Sequence, residues 1–414
     1  MKKESQNPNP EMALLYIGAF TPDSPEYRNP GSSTAGNMFQ LNFLTALAQS
    51  DLPNPTVYSY FPVASFPRVK QLFFGSTTVR LGNGLRATSL PHLNLGAFKI
   101  LTLGISAAWR TFLWGLKNRH VERRVVICYN LTAPPAMPLA LVCRWMDMDL
   151  VPFIGDIYVP GEVVKDTWLR RLEFASQKMV IPKARGLLIA NQAIIDDFAP
   201  DRHALLMEGG VMDDFLRRFE RKPKLPDGKF HVVFAGQLSV LNGVTMLLDA
   251  LKLLDMPNLR VSIVGGGEYV DTVRKAVAKD VRLAYLGLVP HREVMELYET
   301  ADLLVNLRRT DYQTHRYVFP SKVVECLATG RPLLSTCTGH VEEEFGEFVF
   351  KLEEETPEAL AKAIRDIARM DPEARAERGR KAQEYVRENK TWEGHARRLK
   401  AYLDDHVFAE EMAA

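Results

Sequence analysis

Between Asp51 and Glu122 the chain has no acidic residue, although Arg68, Lys70, Arg80, Arg86, Lys99, Arg110, Lys117 and Arg119 all fall inside that window. Over the whole 414-residue chain the net charge is only +2, so there is no global pull toward nucleic acid, and the basic character is local. Cysteine is scarce. Cys128, Cys143, Cys326 and Cys337 form no CxxC pair and stand in apolar or strand-like surroundings, which leaves no pattern for a disulfide framework or a zinc ribbon and fits a reducing cytosol. Long apolar runs are also missing. The uncharged stretch from Val125 to Cys143 is interrupted by Asn130, Pro134, Pro135 and Pro138, so no membrane-crossing helix is expected there. The segment Met1 to Met12 is polar and proline-rich, unlike a secretory signal.

Several chemical signatures are absent too. There is no Walker loop, dinucleotide fingerprint, GxSxG, HExxH or Ser-His-Asp order. The nine histidines lack metal-ligand spacing, and Asp196-Asp197 and Asp213-Asp214 read as helix caps, so neither a metal nor a cofactor is expected.

What is present is a repeated β-α alternation. The length predicts two domains. In the first half, Leu14–Gly18 reads as a strand, 31–37 as a glycine- and serine-rich loop, and Gln40–Leu47 as a helix. Val125–Tyr129, Leu150–Ile154 and Gly186–Ala190 read as further buried strands. Phe219–Phe230, with two prolines and a glycine among charges, reads as a linker. Thereafter strands are expected at His231–Ala235, Arg260–Val264, Leu283–Leu286, Leu303–Asn306 and Pro332–Thr336, with helices between them. This pattern implies a parallel sheet covered on both faces, whose ligand sits at the carboxyl ends of the strands. Gly236, Gly265-Gly266-Gly267 and Gly287 all follow strands and converge on that edge.

The most informative segment is Phe319-Pro320-Ser321-Lys322-Val323-Val324-Glu325, a loop entering a short helix. A hydroxyl, an ammonium and free amides at a helix start attract phosphate, and a glutamate one turn later can accept hydrogen bonds from sugar hydroxyls. The plain alternative is a capped helix with a surface Lys-Glu pair.

The run Leu101, Ile105, Ala108, Trp109, Phe112, Leu113 and Leu116 marks one face of a helix. Lys99, Arg110, Lys117, Leu103 and Trp114 lie opposite. A tryptophan among basic residues suggests a peripheral contact with an anionic membrane through Lys99, Arg110, Trp114 and Lys117. A buried helix is the alternative.

From Val233-Phe234-Ala235-Gly236-Gln237-Leu238 onward the chain resembles a known group. Asn242-Gly243-Val244, Ile263–Glu268, Tyr285–Val289, Tyr298, Ala301–Val305, the Phe319–Glu325 segment with Gly330-Arg331-Pro332, and Trp392 follow in order. Over roughly 231–405 the sequence is similar to the second domain of GT-B glycosyltransferases of the large retaining family four. The first half resembles the family weakly, through the early glycine-rich loop and Asn191–Phe215. The resemblance implies an α/β fold of two Rossmann-like domains with parallel sheets facing a cleft. The expected division is 1–218 on the acceptor side, a linker at 219–230, a nucleotide-sugar domain at 231–385, and a helix at 386–414 returning to the first domain.

It further implies that Glu325 holds ribose hydroxyls and that Ser321 and Lys322 flank the diphosphate, Lys322 also serving the chemistry. Gly236 and Gly243 would underlie the phosphates. Leu288 would contact the base, with Gly267 and Glu268 in the adjacent turn. Gly36 and Asn37 would belong to a loop closing on the donor, and Asp156 to a catalytic position facing the cleft. Three departures stand out. The family's arginine and lysine clamp on the diphosphate is replaced by Gln237 and Asn242, and the first of its paired glutamates by Tyr317. Arg308, Arg309, Arg316 or Lys322 would then supply the charge. The implied activity is transfer of a sugar, of the hexosyl type, from a nucleoside-diphosphate sugar to a glycan or lipid-linked acceptor with retention. It would serve surface polysaccharide or glycolipid assembly at the cytoplasmic membrane face. The alternative is a catalytically weakened relative that binds nucleotide or glycan as a partner subunit.

Overall fold

The computed structural model describes residues 11–22, 34–81, 84–130, 133–161, 166–219, 228–312 and 316–408. Chain contacts divide it into two units, one of residues 1–208 with 392–414 and the other of residues 209–391.

The first unit is built on β1 (Met12–Gly18), α1 (Thr34–Gln49), β2 (Thr56–Ser59), β3 (Phe73–Phe74), β4 (Thr78–Arg80), β5 (Arg86–Ser89), β6 (His92–Leu93) and α2 (Gly96–Lys117). It continues with β7 (Arg123–Tyr129), α3 (Ala133–Trp145), β8 (Asp149–Ile154), α4 (Trp168–Val180), β9 (Leu188–Ile189), α5 (Gln192–Phe198) and β10 (Leu205–Leu206). Its sheet runs β10-β9-β8-β7-β1-β2-β5-β4, parallel except for β4 at the edge. The central strands are buried on both faces, which is why Val125–Tyr129 and Leu150–Ile154 are continuous apolar runs rather than alternating ones. From β1 the chain steps outward to β2, then returns past β1 to β7 and onward to β8 and β9. Right-handed crossovers therefore place α1 on one face and α2, α3 and α4 together on the other. The contacts agree, with α2 on α3 and α3 on α4.

The second unit comprises α6 (Asp213–Arg218), β11 (Phe230–Ala235), α7 (Val244–Lys252), β12 (Leu259–Val264), α8 (Val270–Val277), β13 (Leu283–Gly287), α9 (His291–Thr300) and β14 (Leu303–Asn306). α10 (Lys322–Ala328), β15 (Leu333–Ser335), α11 (Val341–Phe345), β16 (Phe350–Lys351), α12 (Pro357–Arg369) and α13 (Pro372–Asn389) complete it. All six strands are parallel, in the order β13-β12-β11-β14-β15-β16. Val232, Phe234, Val261, Ile263, Leu303 and Leu334 of this sheet pack against Leu247, Leu251, Leu360 and Ile364 of α7 and α12. Each buried aliphatic of this kind contributes about 1.5–3 kcal/mol relative to exposure. The last helix, α14 (Trp392–Tyr402), belongs to the first unit. Fully buried Trp392 meets Phe39 edge-on at 4.8 Å, and Tyr402 accepts the Leu187 amide at 2.9 Å.

The division of the chain differs from the expected one. The second unit begins at Gly209, because Val211 bridges Thr391, Arg218 pairs with Glu299, and α6 packs on α13. Of the expected linker, residues 220–227 lie outside the described residues, as do 31–33 of the glycine-rich loop.

Candidate functional site

In an open parallel sheet the ligand crevice opens where the strand order reverses. In the second unit that point lies between β11, which leads to β12 and β13, and β14, which leads the other way. The loops after these two strands touch. At Gly243 (φ +73°) a Cβ would stand 2.3 Å from the Leu307 carbonyl oxygen, so only glycine permits the contact. At Gly265 (φ +135°) a Cβ would stand 1.7 Å from the Gly236 carbonyl, which fixes the turn after β12 against the turn after β11. Leu288, 84 % exposed, leans over this floor; its side chain would lie 3.1 Å from a Cβ at Gly266.

Lys322, the first residue of α10, reaches back into this crevice. Its Nζ donates to the carbonyl of Ala235, the last residue of β11, at 2.9 Å. A Cβ at Gly236 would stand 2.9 Å from the same ammonium. Burial holds the Lys322 ammonium below the usual lysine range; the Glu325 carboxylate opposes the shift and the Arg308 charge adds to it. Glu325 stands one turn along α10, and its Oε1 meets Nε2 of His291, the first residue of α9, at 2.9 Å. Behind them Cys326 is buried, its thiol pushed up to about 12, so it is packing rather than chemistry.

Thus the structure brings Gly236, Gly243, Gly267, Leu288, Arg308, Lys322 and Glu325 to one edge. The other candidates are placed less directly. Gln237 is exposed, and the Asn242 amide donates to Ser239 Oγ at 2.9 Å. Glu268 is exposed in the turn after β12, Tyr317 is half-buried, and Ser321 caps α10 without a side-chain bond. Arg309 is engaged by Asp311 at 2.6 Å, and the Arg308 charge is felt by Lys322.

The first unit has its own reversal point, between β1 and β7. Gly36 and Asn37 were expected in a loop; they lie in the first turns of α1, which begins at Thr34. The Asn37 side chain accepts from the Thr21 amide at 2.8 Å and donates to its carbonyl at 3.0 Å, so it ties the turn after β1 to the helix. Asp156 follows β8, and its amide donates to Asn130 Oδ1 at 3.2 Å, as does the Gly155 amide at 2.6 Å. Asn130 takes a positive φ of 44° at the end of β7. Buried Tyr129 stands beside Asp156; burial raises its pKa, and the carboxylate adds to the shift. Sequence reading passed over Asn130, seen only as a break in an apolar run, and His291, seen only as a helix start. The signal for both was position, each falling just after an apolar strand.

Of the side chains expected to meet a membrane, Trp114 is turned inward while Lys117 stays exposed. Trp114 is 4 % exposed, with its indole donating to Thr56 Oγ1 at 3.2 Å, and Lys99 donates to the Val63 carbonyl. The side bearing Trp114 and Leu103 is turned inward, and α2 packs on α3, where a Cβ at Gly115 would meet Met148 Sδ at 2.9 Å.

Residues 217–385 match the family model described as glycosyl transferases group 1. The sucrose-phosphate synthase of Thermosynechococcus elongatus superposes with a TM-score of 0.67 at 14% identity, covering 96% of this chain and 100% of that one. The HepE protein of Anabaena, solved in complex with UDP-glucose, gives 0.65 at 16% identity over 94% of this chain and 99% of that one. The fold is GT-B. In sequence, a probable glycosyltransferase WbjE of Pseudomonas aeruginosa is 23% identical over 303 residues, which span 66% of this chain and 74% of that one. The GT-B fold, the family match and this relative together support a nucleotide-sugar glycosyltransferase. Among the described residues no helix is long and apolar enough to cross a membrane.

Proposed function

We propose that the protein moves a sugar from a nucleoside-diphosphate sugar to a glycan or lipid-linked acceptor with retention, in the manner of family four. The observation that carries this reading is the Lys322 ammonium at the β11/β14 reversal point, one turn from Glu325. Lys322 neutralises the departing diphosphate, with Arg308 behind it. Glu325 accepts from the ribose hydroxyls, and Leu288 lies against the base. The bond from the anomeric carbon to the diphosphate oxygen breaks, and the acceptor oxygen bonds to the same face. The acceptor proton passes to the leaving oxygen, so no strong protein base and no metal is required. Electrostatic stabilisation of that leaving group carries most of the rate. Asp156 is assigned the acceptor hydroxyl, and Gly36 and Asn37 the donor-side turn of the first unit.

The pathway is surface polysaccharide or glycolipid assembly, with the protein cytoplasmic and peripheral on the inner face of the membrane. The family match and the WbjE likeness favour sugar transfer, and the acid-free basic stretch between Asp51 and Glu122 favours an anionic surface. Purified protein incubated with UDP-, GDP-, ADP- and dTDP-sugars releases nucleoside diphosphate from one of them. Release from none, with no thermal shift by any, leaves the partner-subunit reading, which exposed Gln237 and locally bonded Asn242 favour.

A further inference from the structure

We infer that the outer face of the α2–α3–α4 layer docks on an anionic lipid bilayer. The face is apolar where it ought to be polar. Of the chain's five tryptophans two are buried, and the other three, Trp109 (57 % exposed), Trp145 (75 %) and Trp168 (68 %), stand on α2, α3 and α4 in turn. Phe112 stacks on Trp145 at 5.5 Å and lies 5.5 Å from Trp109, so the aromatic rings form a row from one helix to the next. Leu101, Ile105 and Leu116 extend it along α2, Leu141 along α3 and Leu172 along α4, all exposed. Contiguous apolar surface of this extent on a globular unit marks an interaction face.

Charge selects the occupant. The three helices carry lysines and arginines at Lys99, Arg110, Lys117, Arg144, Arg170, Arg171 and Lys178, and a single acid, Glu173. Lys117 and Arg144 are exposed, whereas Arg170 pairs with Glu173 at 2.7 Å and Arg171 with Asp166 at 2.5 Å, so the first two are the cations that count toward anionic lipid. Tryptophans with basic residues around them suit the headgroup zone, where the indole sits at the polar boundary and each cation adds about 1 kcal/mol near anionic lipid. Along α2 a groove of about 560 Å³ is lined by Pro91, Ile105, Ser106, Trp109, Arg110 and Leu113, with Arg110 Nη2 donating to Ser76 Oγ at 3.1 Å. It offers an apolar trough with a guanidinium at its side, the complement of a lipid chain below a phosphate. The corrected orientation of α2 matters here: the docking side chains are Trp109 and Leu116, while Trp114 is turned inward.

This docking would bring the protein to a lipid-linked acceptor, but it is tested without donor or acceptor. Vesicles of phosphatidylcholine alone and with phosphatidylglycerol are floated with the full chain. Binding is expected only to the anionic vesicles, weakened by salt, with a blue shift of tryptophan fluorescence. The exposed double variant Trp109→Ser/Trp145→Ser, and separately Lys117→Glu/Arg144→Glu, should each lose at least tenfold in vesicle affinity, while their melting temperature stays near that of the wild type. The inference is overturned if anionic vesicles do not bind or if both double variants bind as the wild type does. It is equally overturned if sedimentation shows that the row is covered by a second copy of the chain that the tryptophan variant releases. None of these readings depends on nucleotide binding, so failure here and failure of the transferase reading are told apart.

Discussion

His291 Nε2 and Glu325 Oε1 lie 2.9 Å apart, joining the first turn of α9 to the first turn of α10 across the carboxyl edge of the second sheet. The pair holds the carboxylate in one rotamer at the mouth of the β11/β14 crevice. Both side chains are substantially exposed, 52% and 26%. Its worth to folding is therefore small, at most about 1 kcal/mol, and its effect falls on ligand orientation. His291→Ala should leave the melting temperature within a degree or two and weaken nucleotide affinity about three- to tenfold by calorimetry. An unchanged affinity would show that Glu325 needs no positioning.

Lys322 gives a pH prediction. Burial lowers its pKa, so in the free folded protein the ammonium loses its proton at a lower pH than an exposed lysine does. A diphosphate binds the charged form, so affinity should fall as pH rises through that lowered pKa. Lys322→Arg should flatten the profile, because an arginine stays charged. For folding the sign is opposite. Between the lowered folded pKa and the unfolded value of about 10.4 the unfolded chain holds more protons, so this group makes stability rise with pH. Calorimetric titration of nucleotide at stepped pH, with the arginine variant alongside, checks the first statement.

Gly265→Ala should unfold at lower denaturant by at least about 2 kcal/mol, since a Cβ there meets the Gly236 carbonyl at a backbone angle that L residues avoid. Gly287→Ala is the comparison. It also has a positive φ of 73° but open space around it, so the cost should be smaller, about 1 kcal/mol. Urea titrations of both separate clash from conformational preference.

Trp114→Ala should cost about 3–5 kcal/mol in urea unfolding, as for a large side chain removed from a core, and should not weaken vesicle binding in protein that remains folded. The opposite result, stable protein with lost vesicle binding, would restore the discarded orientation of α2.

In the first unit Asn130→Ala removes the acceptor of the Gly155 and Asp156 amides and the residue best suited to the positive φ at the end of β7. A loss of about 1–3 kcal/mol is expected, with any effect on turnover appearing as a fall in kcat when Asp156 is displaced. The matched variant Asn130→Asp, which keeps the acceptor oxygen, should recover most of both.

The second unit was the more legible part of the sequence. β11, β12 and β13 are short apolar runs with glycine at their carboxyl ends, followed by a helical period, so that these strands, their helices and the converging glycines could be placed from the pattern. The first unit was harder. β2 and β5 are four residues each, read Thr-Val-Tyr-Ser and Arg-Ala-Thr-Ser, and gain their strand state from pairing, β2 with β1 and β5 with β2, rather than from local sequence. α2 misled for another reason. With leucine, isoleucine and tryptophan around most of its circumference, hydrophobic period alone could not say which side turns inward; Leu103 and Trp114 do. The His291–Glu325 pair was invisible because its partners are separated by 34 positions and meet only when two loops share one sheet edge.

The central claim is that the β11/β14 crevice takes a nucleoside diphosphate through Lys322 and Glu325. Isothermal titration of the wild type and Glu325→Ala with UDP, GDP, ADP and dTDP tests it most directly. One nucleotide should bind the wild type and lose at least tenfold in affinity to the variant; binding of none, or equal binding to both proteins, would contradict it.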